Sequence, residues 1–107
     1  AALDGLASLR ARAGNAVAHG HREFNPGWHT ALDLDNLLIV SEAVARAAID
    51  RRESRGAHFR EDYEGKREDH ASHNSIVTLG ASGEMRLERK TIAPITDELS
   101  GIIEEMG

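Results

Sequence analysis

Apolar positions recur at helical spacing over most of this chain and at strand spacing over one short stretch near its end. Leu3, Leu6, Leu9 and Ala13 fall three and four residues apart within residues 2–18, which predicts an amphipathic helix. The strongest helical signal covers residues 32–55. There Leu34, Leu37, Leu38, Val40, Val44, Ala45, Ala47, Ala48 and Ile49 fill most of the wheel, and Glu42, Arg46, Asp50 and Glu53 form one narrow polar stripe. A helix apolar round most of its circumference is packed on several sides, so this one is expected at the centre of the fold. Gly56 supplies its stop, and Arg51, Arg52 and Arg55 fall where cations complement the negative end of a helix dipole. Between the two helices, Asn25-Pro26-Gly27 is a turn signal, because proline fixes φ and glycine accepts φ > 0. Residues 20–30 are therefore expected to be an ordered loop anchored by Phe24 and Trp28.

Residues 57–74 are polar and charged without a period and predict a loop. Residues 75–80 and 85–92 then flank Ala81-Ser82-Gly83-Glu84, and Met85, Leu87 and Arg89 alternate with Arg86, Glu88 and Lys90. That pattern predicts a β-hairpin with a glycine-containing turn. An isolated hairpin is marginal in water, so this one must lie against helices or another chain. Thr96 caps a short final helix that runs to Met106, with Asp97 and Glu98 in its first turn and Leu99, Ile102, Ile103 and Met106 on one face. The fold class expected is mainly α: a small helical bundle with a C-terminal β-hairpin and a short final helix, over residues 1–107 as a single domain.

Composition sharpens this picture. Of 107 residues 40% are hydrophobic, but 16 of those are alanine and only Phe24, Trp28, Phe59 and Tyr63 are aromatic. Ordering a residue costs roughly 1.5 kcal/mol against about 25 cal/mol per Å² of apolar burial, so so thin a core calls for a covering partner surface. The absence of cysteine excludes disulfides, thiolate zinc sites and iron–sulfur ligation by this chain. No apolar run approaches 18 residues and no basic-then-apolar leader is visible, so neither membrane insertion nor a secretory signal is expected. A net charge of -5 and a longest basic run of two, Arg51-Arg52, argue against a nucleic-acid partner, which needs a clustered basic face.

Candidate chemistry is sparse. His19-x-His21 and His70-x-x-His73, the latter beside Asp69, have spacings that can present two imidazoles to a metal, but no four-ligand pattern recurs. His29 and His58 stand alone. All six histidines are read as exposed or locally hydrogen-bonded, with no metal site. No G-x-S-x-G frame and no G-x-G-x-x-G or Walker loop is present, so no catalytic residue and no nucleotide cradle is expected. One segment stands out, residues 53–63, where a long helix passes at Gly56 into a stretch dense in Arg55, His58, Arg60, Asp62 and Tyr63. It reads either as a helix stop, with Arg55 on the terminal carbonyls and Arg60–Asp62 as a weak surface pair, or as an ordered docking loop.

The run R-x-E-S-R-G-A-H-F-R-E-D-Y at Arg51 to Tyr63 closely resembles the motif that opens the last part of the flavoprotein subunits of succinate dehydrogenase and fumarate reductase. Upstream, Phe24-Asn25-Pro26-Gly27-Trp28 and Leu32-Asp33-Leu34-Asp35-Asn36-Leu37-Leu38 are similar to that family's loop and following helix. Downstream, His73-Asn74-Ser75-Ile76 and Ser82-Gly83-Glu84-Met85 are similar to its closing hairpin, so the resemblance covers essentially the whole chain. Departures fall between residues 64 and 74, where Glu64 stands in place of a frequent proline and His70-Ala71-Ser72-His73-Asn74 replaces a Trp-x-Lys-His-Thr stretch.

The resemblance implies a C-terminal helical domain, spectrin-repeat-like in the family and here missing a first helix upstream of Leu3. In the parent subunit the FAD and capping domains hold the cofactor and the dicarboxylate, and electrons pass to an iron–sulfur subunit at the inner, cytoplasmic face of the cell membrane. This chain would carry no FAD and no catalytic residue. Its role would be to buttress the flavin domain, with Arg55, His58, Arg60 and Asp62 as docking residues. An exposed apolar groove along residues 32–55, filled by self-association, is a further expectation. L-aspartate oxidase shares an E-S-R-G segment, usually with leucine where this chain has Ala57, and is the alternative within the resemblance; a stand-alone acidic helical adaptor is the alternative outside it. Ala1 is not a translation start, which favours a fragment over the adaptor.

Overall fold

The structure is a computed structural model that describes residues 1–107. Its elements run α1 (Ala2–Ala13), α2 (Pro26–Asp50), α3 (Glu68–Ala71), β1 (His73–Leu79), β2 (Met85–Thr91) and α4 (Asp97–Met106). The mainly α class, the closing hairpin and the final helix are as the sequence predicts. The boundaries of the two long helices are not.

α2 starts at Pro26, within the segment expected to be a loop. Asn25 is its N-cap: the side-chain oxygen accepts from the Trp28 N–H at 3.2 Å, while the amide donates to the His19 and His21 carbonyls at 2.9 and 2.8 Å. Asn and Pro are turn residues for the same reason that they open helices: a short side chain that binds nearby backbone, then a fixed φ that needs no N–H partner. α1 ends at Ala13 rather than near residue 18, because Gly14 closes it and residues 15–18 leave the helical path. α2 ends at Asp50, five residues short of expectation. Arg51, its C-cap, has ψ 97°, so Arg51, Arg52, Glu53 and Arg55 lie beyond the helix and Gly56 is not its stop.

α1 packs along α2, and β2 also contacts that helix. The hairpin pairs antiparallel from His73↔Thr91 to Leu79↔Met85. Its turn closes with the Gly83 N–H on the Gly80 carbonyl at 3.0 Å and Gly83 at φ +82°, a type I turn followed by a left-handed residue. Met85 and Leu87 are half-buried, and Arg89, on the same face, binds Asp50 at the end of α2. The alternation legible in the sequence therefore sets which face meets the helix.

α2 is not enclosed on several sides. Leu38, 5% exposed, is the one buried apolar residue, whereas Leu37, Val40 and Val44 are 55, 62 and 64% exposed. The radius of gyration is 20.0 Å, against roughly 13 Å for a compact domain of this length. Much of the apolar surface that a bundle would hide therefore faces outward. Truncation costs should divide accordingly in urea unfolding: about 2 kcal/mol for Leu38→Ala and about 1 kcal/mol for Asn25→Ala, but less than about 0.5 kcal/mol for Val44→Ala.

Candidate docking site around a buried carboxylate

Where α2 stops, the chain folds round a single acid. Glu53 has no exposed surface. One oxygen accepts from Arg51 at 2.5 Å and from the Arg55 Nε at 3.0 Å, and the other accepts from Arg55 at 3.2 Å and from the Arg67 backbone N–H at 2.8 Å. A buried carboxylate without such partners would be driven to protonate. Here the Arg55 guanidinium first, then the Arg67 N–H and Arg51, outweigh burial and hold its pKa down to about 2.

The rest of the motif supports this cluster. Gly56 at φ +59° turns the chain so that Arg55 and His58 exchange backbone hydrogen bonds at 2.9 and 3.0 Å. The Ser54 hydroxyl accepts from the Arg60 N–H at 2.9 Å and faces the Arg60 and Tyr63 carbonyls at 3.2 and 2.9 Å. His58 Nε2 lies 3.1 Å from the Arg51 carbonyl. Arg60 donates to the Ala48, Ile49 and Arg51 carbonyls at 3.2, 3.0 and 3.4 Å, stacks over Tyr63 at 4.6 Å and pairs with Asp62. Arg60 therefore serves the orphan carbonyls of α2, the role the sequence reading gave to Arg55, while Arg55 is committed to Glu53 and to the Arg67 carbonyl at 3.1 Å.

All four candidate docking residues, Arg55, His58, Arg60 and Asp62, thus lie together at the end of α2. The first three turn polar atoms inward; Asp62 is mostly exposed, and Phe59, between them, is 72% exposed. Sequence reasoning missed Glu53 as the centre, placing it on a solvated stripe, and read Arg51 only as a dipole partner. Two arginines flanking one glutamate at a distance of two residues is the signal that could have found it.

Arg51 also reaches the His70 and His73 carbonyls at 3.1 and 3.4 Å and so ties the start of the hairpin to the same cluster. His70 is 3% exposed, which corrects the reading of all six histidines as exposed or hydrogen-bonded: its Nδ1 has no partner, nor do His73 Nε2 and Ser75 Oγ nearby. Burial pushes the His70 pKa down and so favours the neutral ring. No three His, Cys, Asp or Glu side chains converge as a metal-holding group.

Fold and cluster define a small, mainly helical domain whose charged loop is committed to its own structure. The family described as "Fumarate reductase flavoprotein C-term" matches residues 1–99, and the chain belongs to that family. The succinate dehydrogenase flavoprotein subunit of Rickettsia felis is 36% identical over 74 residues, 67% of this chain and 12% of that protein. The 8-methylmenaquinol:fumarate reductase flavoprotein subunit of Wolinella succinogenes is 35% identical over 69 residues, 64% of this chain and 11% of that protein. The fumarate reductase flavoprotein subunit of Mycobacterium tuberculosis is 30% identical over 87 residues, 80% of this chain and 15% of that protein. The chain thus spans about an eighth of the length of the curated relatives it matches. No solved structure matches it.

The family is a flavoprotein's, but these residues do not fit a flavin dinucleotide. Such a group needs a strand, a glycine loop and a helix N-terminus facing its phosphates. The only sheet here is a two-stranded antiparallel hairpin, and no glycine loop joins a strand to a helix.

Acid should open this site in two steps. Glu53 ionises at about 2 when folded against 4.5 as a free side chain, so its stabilisation is complete above pH 4.5 and is lost as pH falls toward 2. Glu84, held to about 2 by Ser82 and Arg86 in the hairpin turn, adds to the same window. His70 has a depressed folded pKa, so its contribution is complete above 6.5 and shrinks below it, when the unfolded ring takes a proton and the folded one does not. Thermal melts should show a plateau above pH 6.5, a shallow fall to about 4.5 and a steeper fall below. Glu53→Gln should flatten the steeper part; an unchanged slope would remove Glu53 from the account.

Proposed function

We propose that this chain is the C-terminal docking domain of a succinate dehydrogenase or fumarate reductase flavoprotein subunit and takes no chemical step itself. In this reading the remaining parts of the subunit hold FAD and the dicarboxylate, and this domain buttresses the flavin domain. The assembled subunit passes electrons to an iron–sulfur subunit and sits peripherally at the inner face of the membrane; no helix of this chain is long and apolar enough to cross one.

The observation that carries the reading is the inward commitment of the motif's charges. Arg55, His58 and Arg60 shape a rigid loop, and that loop leaves Phe59 outward at 72% exposure beside Asp62. An apolar anchor on an ordered loop with a carboxylate at its edge is the form of an interface centre. The family membership and the relatives' names support the parent assignment.

Two variants in the full-length subunit separate docking from folding. Phe59→Ser touches an exposed side chain, so it should leave the loop intact but lower the yield of assembled, flavin-loaded subunit several-fold. Arg55→Ala removes a partner of Glu53 and should lower both stability and assembly. In each, the surviving enzyme should keep its KM for the dicarboxylate. Full assembly combined with a raised KM would overturn the docking reading in favour of a substrate-binding one.

A further inference from the structure

Three polar atoms at the head of the hairpin are shut off from solvent and have no hydrogen-bond partner: His70 Nδ1, His73 Nε2 and Ser75 Oγ. Buried polar atoms are almost always paired, so three orphans this close in the chain need an explanation. The topology brings them together. His70 lies in the four-residue α3, which leads directly into β1, and His73 and Ser75 share the half-buried face of that strand. The two rings are 5.2 Å apart, centre to centre, and tilted by 49°. His70 itself is 3% exposed.

The bonding around the rings prepares a lone pair. His73 Nδ1 lies 2.9 Å from the Asp69 carbonyl, and a carbonyl only accepts, so Nδ1 carries the ring proton and Nε2 presents its lone pair. An outer ring nitrogen donating to a backbone carbonyl is a common way for metal-binding imidazoles to be oriented. The separation fits as well. Two imidazole nitrogens about 2.0–2.1 Å from one tetrahedral ion put their ring centres roughly 5 Å apart. Charge round the pair is mixed: Asp50, Glu53 and Asp69 act on it against Arg89, while Arg51 holds the His70 and His73 carbonyls. A dication there is met by carboxylates as well as by guanidinium groups.

We propose that His70 Nδ1 and His73 Nε2 bind a divalent transition-metal ion, with Ser75 Oγ as a weaker third ligand. Imidazole donors suit zinc, nickel or copper, whereas magnesium and calcium take oxygen. A closed structural zinc site takes four protein ligands, so two imidazoles and a hydroxyl make an open, exchangeable site with water at the remaining position. The spacing His70-x-x-His73 carries no four-ligand pattern; the orphaned and oriented nitrogens are what point to the ion. Because the ion joins α3 to β1 only in the folded chain, it stabilises the head of the hairpin by mass action. The site uses none of the docking residues, so the docking role proposed above and this one stand or fall separately.

The test is zinc titrated into the 107-residue chain with isotope-labelled histidine, read by imidazole nitrogen NMR. At one equivalent the His70 Nδ1 and His73 Nε2 resonances should move together, and the rings of His19, His21, His29 and His58 should stay in place. The thermal melt should rise with zinc concentration. His73→Gln should weaken zinc binding at least about tenfold, the least that loss of a ligand's outer partner commonly costs, while a variant with both His19→Ala and His21→Ala should keep it. The NMR readout is made on the unsubstituted chain, so it holds even where a variant folds poorly. Zinc taken up first at His19 and His21, or full affinity in His73→Gln, would overturn the proposal. So would no shift of the two named nitrogens under excess zinc, the result expected where a water alone pairs the three atoms.

Discussion

Everything at the C-terminal end of α2 depends on keeping one charged carboxylate out of water. Glu53 is stable there only because guanidinium and backbone N–H donors reach both of its oxygens. α2 ends at Asp50, and beyond it the chain brings Glu53 to the Arg67 N–H. The chain there also aims Arg51 at the His70 and His73 carbonyls, which fixes where the hairpin begins. Arg89, on the hairpin's inner face, then meets Asp50 at the helix end. Loop, helix terminus and sheet are placed by a single electrostatic condition.

The apolar arrangement is the complement of this. Among the four buried residues two are Glu53 and His70, while Leu37, Val40 and Val44 point outward from the longest helix. Directional bonds rather than apolar burial hold the chain in shape, so its hydrophobic surface remains for other uses. The elongated form, 63 Å in its longest dimension, follows from the same division: few interior contacts draw the ends together.

The hairpin, the Thr96 cap and the existence of α2 were legible because each rests on local chemistry, alternation, capping or periodicity, that the neighbouring residues do not contest. The start of α2 was misread because Asn25-Pro26 serves turns and helix N-termini through the same backbone bonds, and only Trp28 donating to Asn25 decides between them. Its end was misread because the polar stripe to Glu53 and the cations to Arg55 suit a helix end before Gly56, whereas contacts to Arg67, distant in sequence, outweigh helix propensity. The motif from Arg51 to Tyr63 was recognisable as a pattern and placed the family, yet its inward direction depends on Gly56 and Ser54 reversing the chain. The burial of His70 had no local signal, because it follows from the position of the hairpin.

The clasp formed by Glu53 and Asp50 also orders events in time. α2 and the hairpin close on contacts between near neighbours, and such contacts form early because little chain entropy is lost in making them. The links that join these pieces, Arg67 to Glu53 and Arg89 to Asp50, span 14 and 39 residues and have to wait until both pieces exist. The same few polar links are the latest to form, and strong acid releases them. Assembly and disassembly of this domain thus run through one latch, and the cell's handling of a nascent chain meets a helix and a hairpin before it meets a domain.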